Sequence, residues 1–439
     1  MIEGLVRAVL WPEASVTVSG CLPPMHPLAS CSSHGAARCL AAVLCAFLKL
    51  LSPGANAHQY DANVLPKGHE YFELREGLNN SRNFFEKNRK GRVAFLGGSI
   101  TASQGWREPV MRYLEKRFPQ TEFEFIGAGI GSLGSVPHAF RLEQDVLSKG
   151  PIDLLFVEAA VNDASNHPEL PKQMLRGMEG VVRHARMANP KTDIVQMHFV
   201  MPSHMDDYNA GRVPQVIELH EKVAVAYGNA SLDLAREVTD RIQAGQFTWA
   251  EDFKGLHPSR FGNDLYANSI SRMLEAAWRA PEAPTRDHSL PPNPLDTQSY
   301  FRGRFGRLQD VKRVRGFEHM RPWKPGVETK IHGLLTKDSD ALVAHEPESE
   351  IEVAFEGTAA GLLIGAGPDT GIMEVFCDGG PMKKIDTFTR WSRGLYLAWA
   401  VMLEDELPAG HHVLRVKLSK EHNTGSVGTG LYVFRILEN

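Results

Sequence analysis

The sequence has 439 residues, of which 43% are hydrophobic and 23% are charged, with 39 Gly and 27 Pro. These are ordinary globular proportions, which exclude a disordered chain, collagen, a coiled coil and a disulfide-rich scaffold. Lys plus Arg number 48 against 52 Asp plus Glu. The net charge of −4 gives no electrostatic reason to expect nucleic acid or an anionic membrane surface as a partner.

Residues 1–57 are predicted to be a signal peptide with an over-long start. Arg38 precedes the apolar stretch Cys39–Leu51, and Ala55-Asn56-Ala57 follows it as a signal peptidase site would. Lys49 interrupts the stretch, which is shorter than the roughly 18 apolar residues of a membrane span. We therefore expect a secreted or periplasmic protein, cleaved after Ala57, with no membrane anchor. A hydrophobic N-terminal helix of the mature protein is the alternative.

Residues 92–280 alternate short apolar runs with amphipathic stretches, a pattern typical of βαβ units after a lead segment at 58–91. The predicted strands are Val93–Leu96, Phe123–Ile126, Ile152–Val157, Asp193–Phe199 and Ala230–Leu234. The predicted helices are Val110–Phe118, Lys172–Ala188, Pro214–Ala226 and Phe261–Arg279. The run Ile152–Val157 is apolar on both faces beyond Asp153. It is therefore predicted to be a central parallel strand of an α/β domain.

Residues 281–297 are predicted to be a Pro-rich linker, since Pro281–Pro294 carries five prolines that disfavour helix. A different pattern occupies 298–439. Glu350–Phe355 and Val413–Leu418 alternate polar and apolar residues with period two, and turn signals such as Asp378-Gly379-Gly380 separate the runs. This segment is predicted to be an all-β sandwich domain.

The first chemically informative segment ends a predicted strand at Gly97-Gly98-Ser99. A serine in this position lies at the carboxyl end of a parallel strand, in the crevice where open α/β sheets bind ligands. The two glycines leave space around the Ser99 hydroxyl. A plain strand-to-helix turn is the alternative interpretation.

Two further loops follow the next predicted strands. Gly127–Ser135 is rich in glycine, so its backbone N–H groups can approach a ligand and suit an oxyanion hole. A nucleotide-binding loop is disfavoured, because the segment has no Gly-Lys-Ser/Thr and no acidic residue placed for a ribose. Asn162 follows the strand Ile152–Val157 and is a candidate second oxyanion donor, with an Asx turn as the alternative.

A histidine completes the set late in the domain. His257 lies in the segment Asp252–Gly262, just before the final predicted helix, and is a candidate general base. A solvated loop histidine is the alternative. The order of serine, glycine loop, asparagine and histidine carries more weight than any of the four pieces alone.

In this order, the four pieces resemble the blocks of the SGNH hydrolase superfamily, also called GDSL esterases and lipases. Gly97-Gly98-Ser99-Ile100-Thr101 is similar to the variant first block of a polysaccharide-acting branch, Val161-Asn162-Asp163 to the third block and His257-Pro258 to the last. The resemblance spans Val93–Trp278. It implies a flavodoxin-like three-layer α/β sandwich with a parallel sheet.

The resemblance also implies roles for individual residues. Ser99 becomes the nucleophile and His257 the base, and the oxyanion hole is formed by Asn162 with backbone N–H groups of Ser99 and of the Gly131 loop. The family often has Asp three residues before its histidine, where this sequence has Lys254. Asp252 is the candidate acid that orients His257. The alternative is a backbone carbonyl, as in the dyads of some carbohydrate esterases of this superfamily.

Three residues are candidate substrate contacts. Glu158 and Asp163 lie near the third block and either contact the substrate or anchor the adjacent loop. Trp391, close to Arg390 and Arg393, is a candidate for stacking on a sugar ring, with a place in the sandwich core as the alternative. The β domain loosely resembles the accessory domains of polysaccharide-active esterases.

Together these observations predict a secreted serine esterase that removes small acyl groups, most plausibly acetyl, from an acylated glycan. A lipase or general carboxylesterase, or an inactive glycan-binding protein, is the alternative. His138, His198 and His204 have no metal-ligand spacing with nearby acidic residues, so no metal and no other cofactor is predicted. The oligomeric state is left open.

Overall fold

The computed structural model describes residues 60–167, 170–333 and 339–439. The predicted signal peptide at 1–57 lies outside the described residues. Residues His58–Asn439 form one compact unit. Within the described part of the chain, every helix is too short or too polar to cross a lipid bilayer.

The α/β half is built on a six-stranded sheet. Its strands are β1 (Phe72–Glu73), β2 (Lys90–Gly97), β3 (Glu122–Gly129), β4 (Leu154–Glu158), β5 (Asp193–Met197) and β6 (Ala230–Leu232). The spatial order is β1-β6-β5-β4-β2-β3, and all pairings are parallel except that of β1 with β6. Numbered along the chain, the five parallel strands have the order 2-1-3-4-5, which confirms the predicted flavodoxin-like fold.

Helices cover both faces of this sheet. They are α1 (Asn79–Asn83), α2 (Ser99–Ala102), α3 (Arg107–Arg117), α4 (Ser135–Asp145), α5 (Ala160–Asn166), α6 (Pro171–Ala188), α7 (Pro202–Asn209), α8 (Gln215–Ala226), α9 (Leu234–Gln243) and α10 (Arg260–Arg279). Alternate residues of β4 enter separate cores: Leu154 and Phe156 belong to one, and Leu155 and Val157 to the other. This division follows from the period-two geometry of a strand buried on both faces.

The sheet order creates a crevice between β2 and β4. The chain leaves β2 for β3 on one side, then crosses to β4 on the other side and continues outward to β5 and β6. At such a switch point the loops after the two central strands diverge and leave an opening at their carboxyl ends. Ser99 follows β2 and Asn162 follows β4, so both residues lie at this opening.

The C-terminal half is a sandwich of two sheets, as predicted. Its strands are β7 (Arg304–Gly306), β8 (Lys312–Arg315), β9 (Glu318–Met320), β10 (Lys330–His332), β11 (Ala341–Ala344), β12 (Glu350–Gly357), β13 (Ala360–Ala366), β14 (Ile372–Cys377), β15 (Lys383–Asp386), β16 (Leu395–Glu404), β17 (Gly410–Leu418) and β18 (Leu431–Glu438). The inner sheet has the order β10-β16-β13-β18-β11-β9, with β7 beside β18, and the outer sheet the order β15-β14-β17-β12-β8. Their facing apolar side chains form a third core.

The inner sheet packs directly on the α/β half. Phe140 of α4 and Met178 of α6 share one apolar core with Trp323 and Tyr396 of the β domain. Arg176, buried on α6, donates to Asp296 and Glu406 at 2.8 Å each. These contacts fix the β domain beside the loops that follow β3 and β4.

Residues 281–303 contain no helix or strand. The first part of this segment is attached to the α/β half by specific side chains. Asn80 accepts from the backbone N–H of Arg286 at 3.0 Å and donates to its carbonyl at 2.8 Å. The His288 ring lies 2.6 Å from Asp193 and 2.9 Å from Glu76. The predicted linker is thus irregular in conformation but held in place.

Candidate active site

Ser99 lies at the sharp turn between β2 and α2. Gly98 has an extended backbone and Ser99 begins the short helix. A Cβ atom on Gly98 would lie 2.5 Å from Nδ2 of Asn162, closer than real side chains approach. Glycine at this position therefore lets the Asn162 amide lie directly beside the Ser99 backbone.

His257 reaches Ser99 from the loop before α10. The Nε2 atom of His257 lies 2.7 Å from the Ser99 hydroxyl oxygen. In the tautomer protonated at Nδ1, the hydroxyl donates to Nε2, which is the arrangement a base needs to accept this proton. Ser99 is partly exposed and His257 is exposed, so the pair is open to a large substrate.

The loop before His257 is fixed by local hydrogen bonds. Ser259 caps α10 by accepting from the backbone N–H of Gly262 at 3.3 Å, and its hydroxyl donates to the carbonyl of Asp252 at 2.5 Å. Lys254 has a left-handed backbone with φ of 70°, and Gly255 has φ of 127°. This tight turn directs the following histidine toward the carboxyl end of β2.

The candidate oxyanion donors lie close to Ser99. A Cβ atom on Gly131 would lie 3.8 Å from Cβ of Ser99. The side-chain amide of Asn162 donates to the carbonyl of Leu133 at 2.9 Å, and that of Asn166 donates to the carbonyl of Ser132 at 2.9 Å. Side chains of helix α5 thus hold the carbonyl groups of this loop. In the described residues, the backbone N–H groups of Gly131 and Ser132 donate to no protein acceptor.

Asp163 anchors the same loop from the interior of the protein. Its Oδ1 accepts from the backbone N–H of Ser135 at 2.8 Å, and its Oδ2 lies 3.0 Å from Nε2 of His220. The residue is only 5% exposed. The structure therefore places Asp163 as an anchor of this loop. Sequence reasoning missed His220, because no local motif marks a partner that is 57 residues away.

Glu158 has a similar place at the end of β4. It is 1% exposed and accepts from the backbone N–H of Val161 at 3.2 Å and from that of Gly98. Burial, together with the neighbouring Asp163 charge, raises the pKa of this carboxyl to about 7. Glu158 thus ties the Ser99 turn to α5 from inside the protein, which corrects the expectation of a substrate contact.

Asp252 does not meet His257. Its Oδ2 accepts from the backbone N–H and from the hydroxyl of Thr248, at 2.8 Å and 3.1 Å. These bonds close the π-helical turn Trp249–Phe253. Within the described residues, the hydrogen bond to Ser99 is the one bond that the His257 ring makes. The arrangement is that of a Ser–His dyad.

Trp391 lies on the surface of the loop between β15 and β16. Its side chain is 44% exposed, and the Arg390 guanidinium lies 4.6 Å from its ring centroid. Arg390 also donates to the carbonyl of Ser165 at the end of α5. Trp399 is buried and contacts the His167 ring with a centroid separation of 4.7 Å. Of these two tryptophans, Trp391 is the more exposed.

Two adjoining pockets extend from the candidate oxyanion donors to the β domain. The lining of the first includes Ser132, Asn162, Asn166, His167 and Trp399. The second is lined by Ser165, Asn166, His167, Asp386, Phe388, Thr389, Arg390 and Trp399. Because the pockets share Asn166, His167 and Trp399, they form one groove between the halves.

The fold and the site together define a hydrolase of ester bonds with an α/β catalytic half. Residues 95–265 match the GDSL-like Lipase/Acylhydrolase family. This match confirms the family resemblance of the sequence blocks. A search of curated proteins returned no match.

Two solved structures share the whole two-domain architecture. Both are of a two-domain esterase active on acetylated mannans, one of them co-crystallized with mannopentaose. Each is 21% identical to this chain, with TM-scores of 0.63 for the mannopentaose structure and 0.68 for the other. The matches cover 84% and 83% of this chain and 98% and 96% of the other chain. At this identity the likeness shows a common fold.

Replacement of Asp252 by asparagine tests the dyad. Asp252→Asn keeps an oxygen that can accept from Thr248 but removes the negative charge. We expect kcat on p-nitrophenyl acetate to stay within about twofold of the wild type, since no contact with His257 is lost. A fall of about 100-fold or more at neutral pH would show that Asp252 orients the imidazole. Ser99→Ala supplies the background rate.

Glu158 makes stability depend on pH. Its folded pKa of about 7 lies above the ordinary glutamate value of 4.5, so between these two pH values the folded protein binds more protons than the unfolded chain. The free energy of unfolding therefore falls as pH rises through this range. We measure the free energy of unfolding of both proteins by urea denaturation. We expect the value for Glu158→Gln, relative to that of the wild type, to be roughly 3 kcal/mol higher at about pH 8 than at about pH 4.5.

The control for this comparison is Glu251→Gln, which makes the same change at an exposed side chain. A stability difference between Glu158→Gln and the wild type that is the same at both pH values contradicts the prediction.

Proposed function

We propose that this protein is a secreted serine esterase that removes acetyl groups from a polysaccharide or oligosaccharide. The observation that carries the proposal is the 2.7 Å contact between the Ser99 hydroxyl and Nε2 of His257, beside the Asn162 amide and the Gly131 loop. A nucleophile, a base and anion-stabilising donors are the parts that acyl transfer requires.

In the first half of the proposed reaction, the Ser99 oxygen attacks the carbonyl carbon of the acetyl ester while His257 takes the hydroxyl proton. The carbonyl oxygen becomes negative and is stabilised by the Asn162 amide and by backbone N–H groups of Ser99 and the Gly131 loop. Each such donor contributes about 3 kcal/mol to the barrier reduction. The C–O bond to the sugar then breaks, and His257 gives its proton to the leaving sugar oxygen.

In the second half, water hydrolyses the acetyl-serine. His257 takes a proton from the water as its oxygen attacks the acetyl carbon, and returns the proton to the Ser99 oxygen as acetic acid leaves and ionises in solvent. The imidazolium that forms twice in this cycle has no carboxylate partner among the described residues. Because His257 is exposed, water can solvate its positive charge.

The second pocket favours a glycan ester over a lipid ester as substrate. Six of the eight residues that line this pocket are polar: Ser165, Asn166, His167, Asp386, Thr389 and Arg390. Hydroxyl groups of a glycan can exchange hydrogen bonds with such a surface, whereas a long acyl chain needs an apolar one. The exposed Trp391 ring beside Arg390 suits the apolar face of a sugar. The shared fold with an esterase active on acetylated mannans supports the same substrate class.

Export is part of the proposal. The apolar stretch Cys39–Leu51 with its small-residue end at Ala57 supports removal of the first 57 residues. When the protein is expressed with its natural N-terminus in a secreting host, N-terminal sequencing of the exported form is expected to begin at His58. An exported form that begins upstream of Cys39 contradicts cleavage at this site.

The substrate assignment is tested by acetate release from a panel of acetylated glycans. We expect the wild type to release acetate from at least one of them, and Ser99→Ala to release none above background, because no other hydroxyl among the described residues forms a hydrogen bond with His257. If the wild type cleaves only short lipid esters, the carbohydrate assignment is wrong.

Trp391→Ala separates glycan binding from chemistry in the same assay. We expect KM for the acetylated polysaccharide to rise about fivefold, since loss of one stacking contact costs roughly 1 kcal/mol. The kcat/KM for p-nitrophenyl acetate is expected to stay unchanged. Met382→Ala, which truncates another exposed side chain of the β domain, is the matched control. Equal effects of the two variants on KM would show that Trp391 does not contact the substrate.

A further inference from the structure

Three side chains with metal-ligating atoms meet at one end of the outer sheet. Cys377 is the last residue of β14, Asp378 begins the turn to β15, and His412 lies on β17. The antiparallel pairing of β14 with β17 brings them together, with Cys377 opposite Leu414. The sulfur, one carboxylate oxygen and one imidazole nitrogen lie within 4.8 Å of one another. We call this group the Cys377 cluster.

The His412 ring is oriented for coordination through one defined nitrogen. Its Nε2 lies 2.8 Å from the carbonyl oxygen of Pro408, which can only accept, so Nε2 carries a proton and donates it. Metal-bound histidines are commonly fixed by this kind of bond from the other ring nitrogen to a carbonyl. The Nδ1 atom then faces Oδ2 of Asp378 at 2.7 Å.

This contact needs a positive group between its two atoms. The carboxylate oxygen only accepts, and Nδ1 also accepts unless it is protonated. A proton satisfies the contact, and so does a metal ion bound to both atoms. The second carboxylate oxygen of Asp378 accepts from the backbone N–H of Val413 at 2.8 Å, which orients Oδ2 toward His412. Cys377 adds a thiol at the same place.

We propose that Cys377, Asp378 and His412 bind a zinc ion, with water as the fourth ligand. A thiolate, an imidazole and a carboxylate are all common zinc ligands in proteins. Tetrahedral zinc with bonds of about 2.0–2.3 Å separates its ligand atoms by roughly 3.5 Å, so Asp378 and His412 must move apart by somewhat under 1 Å. The exposed Asp378 side chain permits this shift.

The proposed ion would connect the β14–β15 turn to β17. Binding replaces the thiol proton of Cys377, and any proton on Nδ1, by the metal, and both protons go to solvent. The cluster belongs to the outer sheet, whereas the inner sheet packs on the α/β half. The zinc site is therefore expected to stabilise the β domain without taking part in ester hydrolysis.

The test measures zinc binding by the purified full-length chain after removal of metals with a chelator. The chain has four other cysteines that are potential zinc ligands: Cys21, Cys31, Cys39 and Cys45. The test therefore depends on the difference in bound zinc between the wild type and the variants. We expect wild type to bind one more Zn²⁺ per chain than Cys377→Ser or His412→Gln in equilibrium dialysis. With Co²⁺, the thiolate-to-metal absorption should decrease in both variants by the contribution of one site.

His411→Gln is the matched control, because His411 is the exposed neighbour of His412 and is not in the cluster. It should bind zinc as the wild type does. Unchanged hydrolysis of p-nitrophenyl acetate shows that the catalytic half of each variant is folded. The proposal is overturned if Cys377→Ser and His412→Gln retain the zinc stoichiometry and the cobalt spectrum of the wild type, or if His411→Gln loses as much as they do.

Discussion

The hydrogen bond between Ser99 and His257 is the contact on which the proposed chemistry depends. Its two residues are 158 positions apart, so the sheet must bring them together. Strand β2 delivers Ser99 to the switch point of the parallel sheet, and α10 begins beside it at Arg260. Neither residue alone distinguishes this site from an ordinary turn. Their 2.7 Å contact supplies a nucleophile and a base at one place.

Buried polar groups hold this arrangement in position. Asp163 uses one carboxylate oxygen on the glycine loop and the other on His220, while Glu158 accepts from the turn that carries Ser99. An unpaired carboxylate at such depth costs several kcal/mol, and each of these contacts offsets part of that cost. The Ser99–His257 pair is open to solvent on one side and is supported by this buried network on the other. Such a site lets a large substrate reach a fixed reaction centre.

Much of the fold could be predicted because its signals are local. The apolar run of β4, the period-two strands of the sandwich and the order of Ser99, Asn162 and His257 are all visible along the chain. The remaining features depend on contacts between distant residues. The pairing of Asp163 with His220 has no local signal, nor has the meeting of Cys377 with His412. Spacing alone made Asp252 a candidate partner of His257, but its carboxylate closes the local turn at Thr248 instead.

The most direct measurement of the Ser99–His257 pair is labelling with a fluorophosphonate, which reacts with an activated serine to form a P–O bond and release fluoride. The paired geometry predicts one phosphonyl group per chain, located on Ser99 by peptide mass spectrometry. It also predicts that His257→Gln slows the labelling by at least about 100-fold, because the serine then loses its base. Labelling at another residue, or an unchanged rate in His257→Gln, would contradict the assignment.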